Sequence, residues 1–118
     1  MTEQLFEQIL KEIDTSLAPQ GFQKTKQHHQ PQLFDTRYAV FEAPGHLVRV
    51  IWDGKQRMLI LRIYAKRKWI MKLAKVLIGQ NDTEKLIKEF TIPRDEMMAL
   101  SDEQVIGKCV QTVRDFNP

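Results

Sequence analysis

Residues 48–64 read VRVIWDGKQRMLILRIY. Large apolar side chains recur at every second position on both sides of the Asp53-Gly54 pair, and this arrangement is the strongest short-range sign of a β-hairpin. A turn of either two or four residues pairs even-numbered positions with odd-numbered ones, so both turns place the same side chains on one face. That face is predicted to enter the core and carries Val48, Val50, Trp52, Leu59, Leu61 and Ile63.

The opposite face of this hairpin is only half apolar. It carries Arg49, Ile51, Met58, Ile60, Arg62 and Tyr64. Water suits the two arginines, whereas the other four side chains are better buried. We therefore expect another part of the chain or a partner to pack against this second face.

An amphipathic helix is predicted to open the chain, over about residues 2–17. Its apolar side chains recur at helical spacing, with charged side chains on the other face. They are Leu5, Phe6, Ile9, Leu10, Ile13 and Leu17. Pro19 and Gly21 then end the helix.

Between this helix and the hairpin, the pattern indicates short strands and a loop. Residues 22–25 are compatible with a short strand, and residues 36–42 alternate as a strand does. Residues 27–32 are interpreted as a polar loop, because Pro31 lacks an amide donor and no alternation is visible.

After the hairpin the period becomes helical, and a helix is predicted over residues 66–78. At 100° per residue its apolar side chains cover roughly 220° of the circumference, and only a narrow stripe of lysines lies opposite. A short helix capped by Asp82 and holding Leu86, Ile87 and Phe90 is predicted next.

The last predicted helix begins at a capping box. Ser101 and Gln104 have the residue types and the spacing in which each side chain bonds the other residue's amide. Helices therefore flank a cluster of strands, which favours an α+β fold. We expect a single α+β domain over residues 1–118, with an N-terminal helix, an antiparallel meander of three to four strands, and C-terminal helices packed on the sheet.

The composition is that of an ordinary globular protein. The 118 residues are 42% hydrophobic and 28% charged, with a formal net charge of +3. The first residues lack the cationic start of a signal peptide, and the longest apolar stretch, residues 69–79, is far shorter than the ~20 residues of a bilayer span. With a single cysteine, this predicts a cytoplasmic protein without membrane association.

No assembled catalytic, metal or cofactor site is apparent in the sequence. Ser101 is explained as a helix cap, and Cys109 falls on the apolar stripe of its helix, where a thiol behaves as a small hydrophobe. The five glycines are isolated, so no phosphate-binding loop is formed, and His28-His29 lacks further ligands at metal-binding spacing. The sequence therefore favours a non-enzymatic protein without cofactor or metal.

Positive charge is concentrated in one part of the chain. Residues 49–75 contain nine basic residues against one acidic residue, whereas the flanks are mildly acidic. A row of cations beside an aromatic ring suits nucleic acid, but a lysine stripe is also the ordinary solvated side of a helix. The residues that would bind an anionic or protein partner are Arg62, Lys66, Arg67, Lys68, Trp69, Lys72 and Lys75.

The wide apolar arc predicted for residues 66–78 also suggests association. One sheet covers only part of such an arc, and surfaces left uncovered tend to mark interaction sites. The sequence thus predicts a homodimer or an obligate partner, with Trp69, Met71 and Ile78 as contacts, unless the neighbouring helices cover the arc.

The layout of residues 17–63 resembles that of small bacterial α+β proteins, some of which act as immunity proteins for polymorphic toxins. The resemblance depends on three stretches: Pro19-Gln20-Gly21-Phe22 after the opening helix, Tyr38-Ala39-Val40-Phe41-Glu42 in a strand, and Trp52-Asp53-Gly54-Lys55 at the hairpin turn. It implies a non-enzymatic role in which the chain binds a protein partner. A nucleic-acid-binding accessory role that uses the basic residues 49–75 is the alternative.

The alternative predicts a gel shift that weakens steeply with salt, since each neutralised phosphate releases counterions. Changing Lys68, Lys72 and Lys75 together to Glu is expected to abolish the shift while leaving the melting temperature almost unchanged. Failure of the unchanged protein to bind nucleic acid at low salt would contradict the alternative.

Overall fold

A five-stranded antiparallel meander with helices before and after it forms the fold. The computed structural model describes residues 1–66 and 84–116, and the strand order follows the chain, β1-β2-β3-β4-β5. The elements are α1 (Glu3–Leu17), a 3-10 turn (Ala18–Gln20), β1 (Gln23–Gln30), β2 (Thr36–Glu42), β3 (His46–Asp53), β4 (Met58–Lys66), β5 (Glu84–Ile92), α2 (Arg94–Ala99) and α3 (Asp102–Asp115). The predicted α+β class, the N-terminal helix and the C-terminal helices after the sheet are confirmed, but the sheet has five strands rather than three to four.

The β3–β4 hairpin has the predicted core face. Val48 is opposite Ile63, Val50 opposite Leu61, and Trp52 opposite Leu59, and all six side chains are buried. The turn between the strands is the four-residue segment 54–57. It therefore begins one residue later than the four-residue turn considered from the sequence, which leaves the even–odd pairing unchanged.

Helices α1 and α3 cover this core face and pack against each other. Both helix starts are as predicted: the Thr2 side chain accepts a hydrogen bond from the Leu5 amide, and Ser101 and Gln104 form the reciprocal capping box. Fully buried side chains such as Phe6 and Ile9 each stabilise the fold by about 1.5–3 kcal/mol. The core is therefore one layer between two helices and one side of the sheet.

The predicted polar loop at residues 27–32 was wrong, because residues 27–30 belong to β1. This strand lies at the edge of the sheet and pairs only with β2, and its side chains are almost all exposed. An edge strand with no buried face needs no apolar alternation, and polar side chains there discourage pairing with another chain. The turn that follows is residues 31–35.

The predicted helix around Leu86, Ile87 and Phe90 was also wrong, since these residues lie in strand β5. Phe90 is opposite Leu61 on the core side, whereas Leu86 is opposite Tyr64 on the other side. The register shifts between Ile63 and Tyr64, which leaves Ile87 as the extra residue of a bulge. The bulge interrupts the period of two, and the resulting spacing imitates a helix.

The helix predicted over residues 66–78 lies almost wholly outside the described residues. Ala65 and Lys66 continue strand β4, so the helix does not begin there. The predicted contacts Trp69, Met71 and Ile78, and most of the lysine stripe, belong to residues 67–83, outside the described ranges.

The turns β1–β2 and β3–β4 are fitted closely together. The Gly54 amide donates to the Thr36 hydroxyl oxygen at 3.2 Å, and that hydroxyl donates to the Leu33 carbonyl at 2.6 Å. A Cβ atom added at Gly54 would lie 1.6 Å from the Phe34 carbonyl oxygen. Glycine is therefore required at position 54 by the neighbouring turn.

Replacing this glycine is expected to separate the two turns. Gly54→Ala should lower the free energy of unfolding by about 1–3 kcal/mol, the range for overpacking a close contact, as measured by urea denaturation. Gly107→Ala in α3 is the matched control, because an added Cβ there meets nothing within 4 Å. The control should be more stable than the unchanged protein by about 0.5–1 kcal/mol, since alanine favours a helix interior. Equal stability of Gly54→Ala and the unchanged protein would contradict the close approach.

Candidate functional site

A groove opens at the end of the sheet where the turns β1–β2 and β3–β4 meet the starts of α1, α2 and α3. Its volume is about 680 Å³, inside the range of roughly 300–1,000 Å³ found for ligand sites. We call it the end groove. Its lining is drawn from all five of these segments.

The end groove has an apolar floor and an apolar rim. Leu5, Trp52 and Val105 form the floor and are themselves part of the core. Phe34 and Met98 stand at the rim, where 63% and 74% of their surfaces are exposed. Methionine is flexible and polarisable, so a rim of this kind adapts to differently shaped apolar side chains.

Backbone strain is concentrated on the same groove. Phe34, Asp35 and Arg57 are the three non-glycine residues with positive φ in the described part of the chain, at 57°, 61° and 55°, and all three line the groove. The left-handed conformation costs an L-residue about 1–2 kcal/mol. Strained residues of this kind cluster at functional sites.

Local hydrogen bonds hold Arg57 in its turn. The Asp53 carboxylate accepts from the amides of Lys55 and Gln56 at 3.0 and 3.1 Å, which closes the start of the turn. The Lys55 ammonium nitrogen lies 5.9 Å from the centre of the Phe34 ring. The cation of one turn thus meets the aromatic ring of the other at the rim.

Asp35, on the groove wall, already has side-chain partners within the protein. It bonds the His29 ring, and its carboxylate lies 3.5 Å from the Arg37 guanidinium. The hydrogen bond from His29 and the charge of Arg37 lower the pKa of Asp35, so this side chain is a carboxylate at neutral pH. Arg37 is itself buried on the core side of β2, and its Nε has no hydrogen-bond partner among the described residues.

Unlike Asp35, the two arginines of the groove have no oppositely charged partner among the described residues. Arg57 and Arg94 both line it, and neither has an acidic side chain within 4.0 Å in residues 1–66 and 84–116. The remaining acid of the lining, Asp102, lies in the first turn of α3, where free backbone amides favour a negative charge. The groove therefore offers two cations that the described protein leaves unpaired.

Of the sequence-predicted binding residues, the structure describes Arg62 and Lys66, and neither lines the groove. Arg62 and Lys66 are on β4, on the side of the sheet that α1 and α3 do not cover, which we call the open face. There Arg62 bonds Glu89 at 2.7 Å, which raises the pKa of Arg62, and Lys66 lies 3.8 Å from Glu42. Arg67, Lys68, Trp69, Lys72 and Lys75 fall outside the described residues. Lys66 ends strand β4, roughly 26 Å along the strand from Met58, which follows Arg57 of the groove.

Sequence analysis did not single out the groove residues, although one signal was present. Leu33 and Phe34 are large apolar residues inside the otherwise polar turn 31–35, where nothing local requires them. Met97 and Met98 in the short helix α2 give no such signal. Their convergence depends on the meander, which brings turns that are distant in sequence to one end of the sheet.

Cys109 lies where the sequence predicted it, on the buried side of α3, and belongs to the core. Burial raises the pKa of its thiol to about 12. In the described residues, no three His, Cys, Asp or Glu side chains are grouped as metal ligands. No helix of the described ranges has the length and apolar character needed to cross a bilayer.

Comparison with protein-family models, with curated proteins and with solved structures found no match to this chain.

The buried thiol gives a direct test of the core. Cys109 is buried, and its raised pKa keeps the thiol protonated at pH 8. The native protein is therefore expected to react with a disulfide reagent only as fast as it opens, whereas protein unfolded in urea should react completely. A Met98→Cys variant in a Cys109→Ala background is the control and should react at once, since Met98 is 74% exposed. Equally rapid labelling of the two proteins would contradict the packing of α3.

Proposed function

We propose that this protein is a non-enzymatic binding module that holds an apolar segment of a protein partner in the end groove. The observation that carries the proposal is the convergence of Phe34, Asp35 and Arg57, all with left-handed backbones, on one cavity. Two close-fitting turns maintain this strained arrangement, which exposes an aromatic ring and an arginine at the rim.

The distribution of exposed apolar side chains supports the same surface. Among the described residues, the three most exposed large hydrophobic side chains are Leu33, Phe34 and Met98. Phe34 and Met98 line the groove, and Leu33 lies next to Phe34 in the same turn. Apolar patches rimmed by polar residues are typical of protein interaction sites.

The resemblance to immunity-type proteins suggests that the partner is a toxin that this chain neutralises in the cytoplasm. A large toxin-like reading frame next to the gene would support this partner class. A homodimer is the other form of protein partner, and it would place a segment of a second copy in the groove.

The nucleic-acid alternative receives less support from the described residues. Arg49, Arg62 and Lys66 of the basic segment each pair with a carboxylate of the protein itself, on β2 or β5. A phosphate would have to displace these carboxylates. Apart from Lys55 and Arg57 at the groove, the alternative therefore depends on the basic residues of the segment 67–75.

A photo-crosslinking amino acid at position 34 is expected to capture the partner, whereas the same amino acid at position 86 on the open face is not. Once the captured partner is purified, Met98→Asp should weaken its binding at least tenfold, because a charge replaces an apolar contact. Calorimetry measures the affinities, and unfolding curves check the variants.

Leu86→Asp is the matched control, since Leu86 is also an exposed aliphatic side chain, at 46%, but lies outside the groove. Both substitutions should leave the free energy of unfolding within about 0.5 kcal/mol of the unchanged protein, as exposed sites usually do. Capture from position 86 alone, or loss of binding only with Leu86→Asp, would move the interface to the open face and refute the proposal.

A further inference from the structure

We infer that the segment held by the end groove is an acidic peptide, in which an apolar side chain enters the floor and neighbouring carboxylates meet Arg57 and Arg94. This inference rests on the proposed function and adds the chemistry of the partner segment. The observation behind it is that Asp35 has partners within the protein, whereas Arg57 and Arg94 have no acidic partner among the described residues.

The lining contains as many acidic as basic side chains, but the two signs are not equally available. Asp35 is bonded to His29 and lies close to Arg37, and Asp102 lies in the first turn of α3, where the helix dipole favours its negative charge. Neither arginine of the groove has such a partner in the described ranges. A carboxylate from outside would therefore gain an ion pair without breaking one.

The apolar part of the groove suits an apolar side chain of a peptide. Trp52 and Leu5 give the floor a largely apolar surface, and Phe34 and Met98 flank the entrance. Lys55 above the Phe34 ring adds a third cation at the rim. Guanidinium groups bind carboxylates through two parallel hydrogen bonds, so acidic side chains spaced along a peptide suit two separate arginines.

The fluorescence of Trp52 provides the measurement, because this side chain lies in the floor of the groove. In a Trp69→Phe background it is the single tryptophan, and its fluorescence reports binding of two synthetic peptides. One peptide alternates leucine with glutamate, and the other has glutamine in place of each glutamate. The glutamate peptide is expected to bind about tenfold more tightly at low salt, with a smaller ratio at high salt.

Arg57→Gln and Arg94→Gln should each reduce that preference, and the double variant should abolish it. Arg114→Gln is the matched control, because Arg114 lies in the last turn of α3, away from the groove. Equal binding of the two peptides, binding of neither, or a preference that survives the double variant would overturn the inference. The Met98→Asp experiment tests the proposed function separately. If the partner loses affinity with Met98→Asp but not with the arginine variants, it binds in the groove, which supports the proposed function. The same result refutes the acidic character of the bound segment.

Discussion

The register between β3 and β4 determines which side chains enter the core. Because alternate residues of a strand face opposite sides, a shift by one residue would turn one strand over relative to the other and place either Arg49 or Arg62 under the helices. Burial of a guanidinium group without a partner is far more costly than any local gain from the turn. The hairpin therefore has one acceptable register, and α1 and α3 can pack on only one side of it.

The parts of the fold that bury a continuous apolar face were predictable from the sequence. The opening helix, the hairpin and the last helix each repeat apolar residues at the period of their own geometry, and each was placed within a residue or two. The two edge strands were not. In β1 the polar side chains carry no period because backbone pairing with β2 alone holds the strand, and in β5 the bulge at Ile87 interrupts the period.

The site was less accessible to sequence reasoning than the fold. Asp53-Gly54 was correctly identified as a turn, but glycine stands there because Phe34 from another turn approaches it, and not because of a positive φ. Arg57, three positions after Gly54, takes the left-handed conformation instead. Such demands come from three-dimensional neighbours, and a single sequence does not contain them.

The pairing of α1 with α3 has a consequence for the order in which the molecule forms. α1 precedes the whole sheet in the chain and α3 follows it, yet they share the core. During synthesis the apolar face of α1 therefore lacks this neighbour until α3 has left the ribosome. The domain completes its core only when α3 is available.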